Sequence, residues 1–174
     1  MPLSPSQRLA SIDDLLLYRL GRLSSTAGAL VVRLCEGGYG ITRREWAVVA
    51  QLYENGGLPP SVLAERMHRD RARTSRILTA LVKKQLVLRT VTPGDRRGAR
   101  VELTPAGRQL YDDLMPSIQA INGQILSALQ ADEVVQFDDV LARLQARAQS
   151  LVVELSPHWP RANRRRGPLS RSPG

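Results

Sequence analysis

The stretch Asp70–Leu103, DRARTSRILTALVKKQLVLRTVTPGDRRGARVEL, decides the fold. Asp70 offers a carboxylate to the free amides of a helix start, so a helix is predicted from there to about Lys84. At about 100° per residue, Thr74, Ile77, Leu78 and Leu81 fall on one side, with Ala72, Arg76, Thr79 and Lys83 opposite and Arg73 and Ser75 flanking. The inner side is mostly apolar; the outer side is basic and hydroxyl-bearing, with no acid after Asp70. Leu86–Thr92 is rich in β-branched residues, Pro93–Ala99 holds turn formers around Arg96 and Arg97, and Arg100–Leu103 follows. That pattern predicts a β-hairpin with a basic tip.

Working outward toward the N-terminus, Pro59 and Pro60 introduce a short helix at Ser61–Met67, where proline in a first turn loses nothing. Before it, Thr42 with Glu45 three residues later is the capping-box spacing. It opens a helix whose apolar face is Trp46, Val49, Ala50 and Tyr53, stopped by Asn55-Gly56-Gly57. Earlier still, Ile12, Leu16, Leu20, Leu23, Ala27, Leu30 and Leu34 recur at steps of three and four. They predict one helix from Ser11 to about Glu36, ended by Gly37, Gly38 and Gly40. Such a helix is ~37 Å long, more than a small core covers, so its apolar stripe requires a partner.

Toward the C-terminus, Thr104-Pro105 reopens helix, with Leu110, Leu114, Ile118, Ile121, Ile125 and Leu129 in register and Pro116 as a kink site. From about Asp132, the residues Val134, Phe137, Leu141, Leu144, Ala148 and Leu151 alternate threes and fours, the repeat of a helix-helix seam. After Leu155 the chain turns to arginine, glycine, proline and serine and is expected to be disordered. The fold class is therefore mainly α with a small β-hairpin wing. Residues 1–10 form an arm, 11–36 and 104–155 a helical dimerisation region, 41–103 a winged helix-turn-helix and 156–174 a basic tail.

The 174 residues suit one domain. No apolar run approaches the roughly 20 residues of a membrane span, and Met1–Ala10 lacks a secretory signal pattern, so a cytoplasmic protein without membrane contact is expected. A lone cysteine, Cys35, excludes an internal disulfide, and with only two histidines no zinc spacing exists. No phosphate loop or nucleophile motif appears, and no cofactor is implied, so enzymatic activity is not expected. The net charge is +9, but five arginines lie in the acid-free tail. Without them 20 basic residues face 16 acidic ones, and the placement of those charges matters more than their sum.

A major groove admits one helix whose outward donors reach base edges, and arginine pairs with guanine there. Arg73, Ser75, Arg76 and Thr79 are the candidates for that contact, and Arg96 or Arg97 for the electronegative minor groove. A basic helix face alone is as often a solvated surface. Helix pair, basic face and basic hairpin in immediate succession favour double-stranded DNA as the partner.

The motifs "LAERM", "TSRILTALVKKQLV", "PGDRRGARVELT" and "LTPAG" in this order resemble the MarR (multiple antibiotic resistance regulator) family, and the likeness extends over about residues 10–153. It implies a homodimer with intertwined terminal helices binding a palindromic operator, most often as a repressor. By it Ser75 and Arg76 match base-contacting positions and Arg97 the wing arginine. Asp95 matches the acid that orients it through carboxylate–guanidinium pairing. Two positions depart from the pattern: Pro59 replaces a common helix-capping Ser or Thr, and Ala80 replaces an arginine found in some members. The family also implies a small aromatic carboxylate or phenolic effector. Arg22, Tyr39, Arg43, Trp46 and His68 supply the cations and aromatic walls such a ligand needs. Two alternatives remain open: a thiol-based redox sensor through Cys35, aided by Arg33, and a winged helix used for protein or RNA contact.

Overall fold

The computed structural model describes residues 4, 10–67, 70–90 and 99–159. His68, the wing-tip residues Asp95, Arg96 and Arg97, and the arginine-rich residues 160–174 lie outside the described residues. The elements are a 3-10 turn (Ile12–Asp14), α1 (Leu16–Arg33) continued by a π-helical segment (Leu34–Gly38), α2 (Arg43–Asn55), α3 (Pro60–Arg66) and α4 (Arg71–Lys83). They continue with β1 (Val87–Thr90), β2 (Arg100–Leu103), α5 (Pro105–Leu126), α6 (Ala131–Leu155) and a 3-10 turn (Ser156–His158). The fold is mainly helical with a small hairpin, as the sequence pattern predicts.

Local capping sets the boundaries. Thr42 Oγ1 accepts from the Glu45 amide at 3.2 Å while the Glu45 carboxylate accepts from the Thr42 amide at 2.6 Å, the reciprocal box that starts α2. Asp70 Oδ1 accepts from the Arg73 amide at 2.8 Å and starts α4. Pro60 opens α3, and Pro59 before it is extended, with no side-chain cap. Pro116 sits inside α5 without ending it.

The single helix predicted over Ser11–Glu36 is interrupted. Leu15 is extended between the 3-10 turn and α1, and the Asp14 carboxylate accepts the Ser11 amide at 3.1 Å, fixing that turn as a separate piece. At the other end Gly37 and Gly38 do not stop the helix but continue it in the wider π winding. The left-handed residue that follows is Gly40, at φ +63°. At the C-terminus, Ser156–His158 form a turn where composition predicts disorder.

β1 and β2 pair antiparallel, Val87 opposite Leu103 and Thr90 opposite Arg100. Leu58 adds a one-residue third rung, its amide and carbonyl bonding Val101 at 3.0 and 2.9 Å. The core beneath gathers Leu52, Leu63, Leu78, Leu81, Val101 and Leu114, all essentially without solvent contact. Each such leucine contributes about 1.5–3 kcal/mol on removal from water. Tyr111 of α5 stacks on Tyr53 and Trp46 of α2, with ring centroids 3.8 and 5.3 Å apart, joining these two helices by an aromatic ladder.

The chain divides into two compact units, Met1–Ile125 and Leu126–Gly174. In the first, α1 buries only Gly28. In the second, α6 buries nothing, and Val135, Phe137, Val140, Leu141 and Leu144 are all exposed.

Candidate nucleic-acid interface

Helix α4 presents two chemically distinct sides. Thr74, Leu78 and Leu81 are buried, whereas Arg71, Arg73, Ser75, Arg76, Thr79 and Lys83 are exposed. Arg73 is drawn back to the helix start, its Nε 3.2 Å from Asp70 Oδ2, so part of its charge is already matched. Thr79 donates its hydroxyl to the Ser75 carbonyl at 2.9 Å, and a hydroxyl that donates retains its capacity to accept. Arg76 has no hydrogen bond or ion pair to another described residue and stands beside Ser75 on the solvent side. The predicted reading residues thus share one exposed face, with Arg76 as its least encumbered cation.

Several contacts hold this helix and the hairpin base in place. Arg100 of β2 donates to the Gly57 carbonyl, and the Glu102 side chain crosses over Gly57 where a Cβ would stand. After α4, Gln85 adopts φ +59° and turns the chain into β1. Thr104 then closes the junction three times over. Its amide donates to Leu86 O at 3.1 Å, its hydroxyl donates to Gln85 O at 2.7 Å, and the same oxygen accepts from the Gly107 amide at 3.0 Å. Gly107 is obligatory at this approach because an added Cβ would overlap the Leu86 carbonyl oxygen. This is the physical content of the Leu-Thr-Pro-Ala-Gly run.

Lys84 bonds both Gly40 O and Glu45 Oε2 at 2.8 Å. Burial acts to raise the pKa of the Glu45 carboxyl, but hydrogen bonds and charge from Lys84 and Thr42 outweigh it and hold it below the ordinary range.

Two cavities flank α2 within the first unit. The smaller, about 490 Å³, has Trp46, Met67, Ile118 and Val31 as walls and Arg43 and Arg66 among its lining residues. The larger, about 730 Å³, is lined by Arg43, Arg44 and Arg76 with Val32, Ile77 and Glu36. Arg43 is common to both and lies against Gly28 of α1, where any side chain would displace its guanidinium.

Of the predicted effector residues, Arg43 and Trp46 meet in the smaller cavity, although Trp46 is also largely buried in the core. Arg22 and Tyr39 line neither cavity. Arg22 pairs with Asp13 at 3.1 Å, and the Tyr39 hydroxyl donates to Asp113 O at 3.4 Å. Arg66 was not legible in advance; it is held by Asn55 Oδ1 at 2.8 Å across a helix-to-helix packing that no linear spacing announces. Cys35 is fully buried, and burial first, then Glu36, pushes its thiol pKa up; the opposing cation is Arg43, not Arg33. That is the reverse of what an accessible thiolate needs.

Residues 41–98 match the model of the MarR family. The transcriptional repressor MdtR of Bacillus subtilis is 30% identical over 111 residues, 64% of this chain and 72% of that protein. The crystal structure of a MarR family transcriptional regulator from Silicibacter pomeroyi superposes with a TM-score of 0.67 at 26% identity, covering 84% of this chain and 96% of that one. The PcaV transcriptional regulator from Streptomyces coelicolor, solved in complex with its natural ligand, gives a TM-score of 0.63 at 25% identity over 80% of this chain and 99% of its own. Exposed arginine on the anchored α4, a braced hairpin base and these likenesses agree: the chain belongs to the MarR family and is a DNA-binding transcriptional regulator.

Proposed function

We propose that the protein is a homodimeric repressor that lays α4 of each copy into the major groove of a palindromic operator and lets go when a small aromatic carboxylate or phenol binds. The observation that carries the reading is Arg76, an exposed guanidinium without a hydrogen-bond or ion-pair partner among the described residues, on a helix braced at both ends. Ser75 and Thr79 beside it offer hydroxyls to neighbouring base edges. The undescribed Arg96 and Arg97 would add the minor-groove contact, with Asp95 as their orienting acid. Dimerisation is supported by the uncovered apolar residues of α1 and α6, and repression by the likeness to the MdtR repressor.

The effector reading is supported by the smaller cavity, where guanidiniums of Arg43 and Arg66 accompany an indole wall suited to a planar acid. Arg43 also lines the cavity that reaches Arg76, so a ligand that engages it bears on the DNA-reading helix. Such a ligand shifts the equilibrium only by its differential affinity for the DNA-competent and incompetent conformers.

Selection of bound duplexes from a random pool by the full chain tests the reading. It should return an inverted repeat whose half-sites lie about one helical turn, roughly 10 bp, or a multiple of it apart. Benzoate and nicotinate should weaken binding to that duplex, and Arg43→Met with Arg66→Met should abolish their effect. Sequences without two-fold symmetry would contradict the dimeric operator reading, and affinity indifferent to every aromatic acid would contradict the effector reading.

A further inference from the structure

We propose that Lys84 is a positioning residue for DNA recognition, its ammonium tying the C-terminal end of α4 both to the exit of α1 at Gly40 and to the start of α2 at Glu45. The inference rests on the paired half-site reading above. Lys84 is the C-cap of α4, its amide closing the helix on Ala80 O at 3.0 Å. From there Nζ reaches two oxygens at 2.8 Å, the Gly40 carbonyl, 44 residues away in sequence, and the Glu45 carboxylate, 39 away. The Glu45 side chain is only 6% exposed, and the same oxygen accepts the Thr42 amide. The ammonium therefore sits at the meeting point of three elements.

This geometry sets an angle. Helix α4 has 13 residues and so is about 20 Å long. A swing of about 10° at its C-terminal end would carry its N-terminal reading end through roughly 3 Å, a full hydrogen-bond length. Lys84, its side chain 37% exposed, gives two of its three donors to protein oxygens, whereas Lys83, one residue earlier and also exposed, shows no such internal tie among the described residues. A lysine serving phosphate would have the opposite disposition. Because Gly40 lies one residue beyond Tyr39, the C-cap of the π-helical exit of α1, the tie relates the reading helix to the helix whose apolar stripe awaits a second copy. The distance between two reading helices then depends on it.

The test uses the full chain and its selected inverted repeat, with the spacer lengthened or shortened by one base pair. The variants are Lys84→Met, Lys84→Arg, and Lys84→Met combined with Glu45→Gln. The combined variant leaves no unpaired buried charge and keeps the side-chain cap on Thr42, so it carries the test if Lys84→Met alone does not fold. Wild type should prefer one spacing by about 10-fold or more; Lys84→Met and the combined variant should compress that preference below about 3-fold, and Lys84→Arg should restore it. The slope of log affinity against log salt should not change, since each lost phosphate contact would lower it by about 0.9. A slope reduced by that amount with spacing preference intact would make Lys84 a phosphate contact and overturn the proposal. Undiminished spacing preference in the folded variants would overturn it as well. A wild type without any spacing preference would instead refute the paired half-site reading, and the positioning role with it.

Discussion

Gln85 carries a side chain at φ +59°, where the left-handed backbone costs such a residue roughly 1 kcal/mol or more. It is kept there by its backbone N–H donating to Val82 O and by the Thr104 hydroxyl donating to its backbone carbonyl. Gln85→Gly should therefore raise the unfolding free energy by about 0.5–1 kcal/mol, whereas Gly107→Ala, which forces a methyl into the Leu86 carbonyl, should lower it by roughly 2–3 kcal/mol. Urea unfolding of both variants at one protein concentration checks the pair, and a neutral Gly107→Ala would contradict the close approach. At this scale the sequence discloses what is local. Thr42, Glu45 and Asp70 were legible because their partners lie three residues away, within one helical turn. Arg66 and Lys84 were not, because their partners lie 11, 39 and 44 residues off and only packing brings them together.

The sides of α4 follow from spacing alone, since one buried stripe fixes the exposed one, and Thr74, Leu78 and Leu81 are buried as that stripe requires. Helix α1 shows where periodicity fails. Apolar steps run unbroken through Leu15, yet the capped turn at Ser11–Asp14 leaves Leu15 extended, and the π winding at Leu34–Gly38 passes through two glycines. A stripe records which residues seek burial, not whether the backbone between them is one continuous helix. The residues predicted for an effector show the same division: Arg43 and Trp46 share a cavity, while Arg22 and Tyr39 are taken up by Asp13 and the Asp113 carbonyl. Helix α6 extends the argument to assembly. Phe137 and Leu141 are 38% and 41% exposed on a helix that buries none of its residues. Sedimentation equilibrium should give twice the 19.2 kDa chain mass for the wild type and a single chain for Phe137→Asp with Leu141→Asp. A wild type that sediments as one chain would contradict the pairing.

For the whole molecule, the +9 charge says little until it is located. Five of the arginines belong to the acid-free tail, and the rest of the chain carries only a modest excess, 20 basic residues against 16 acidic. Nonspecific attraction to phosphate scales with the total, but choice among sequences depends on a few guanidiniums held at base edges. The proposed reading assigns that choice to the α4 face of Ser75, Arg76 and Thr79, braced by Asp70 at one end and Lys84 at the other. The most direct measurement is the affinity of Arg76→Ala for the selected inverted repeat and for an unrelated duplex of equal length, at several salt concentrations. Binding to the selected duplex should fall about 10- to 100-fold, with the unrelated duplex and the salt slope nearly unchanged. Equal losses on both duplexes, or none on either, would contradict base reading by α4.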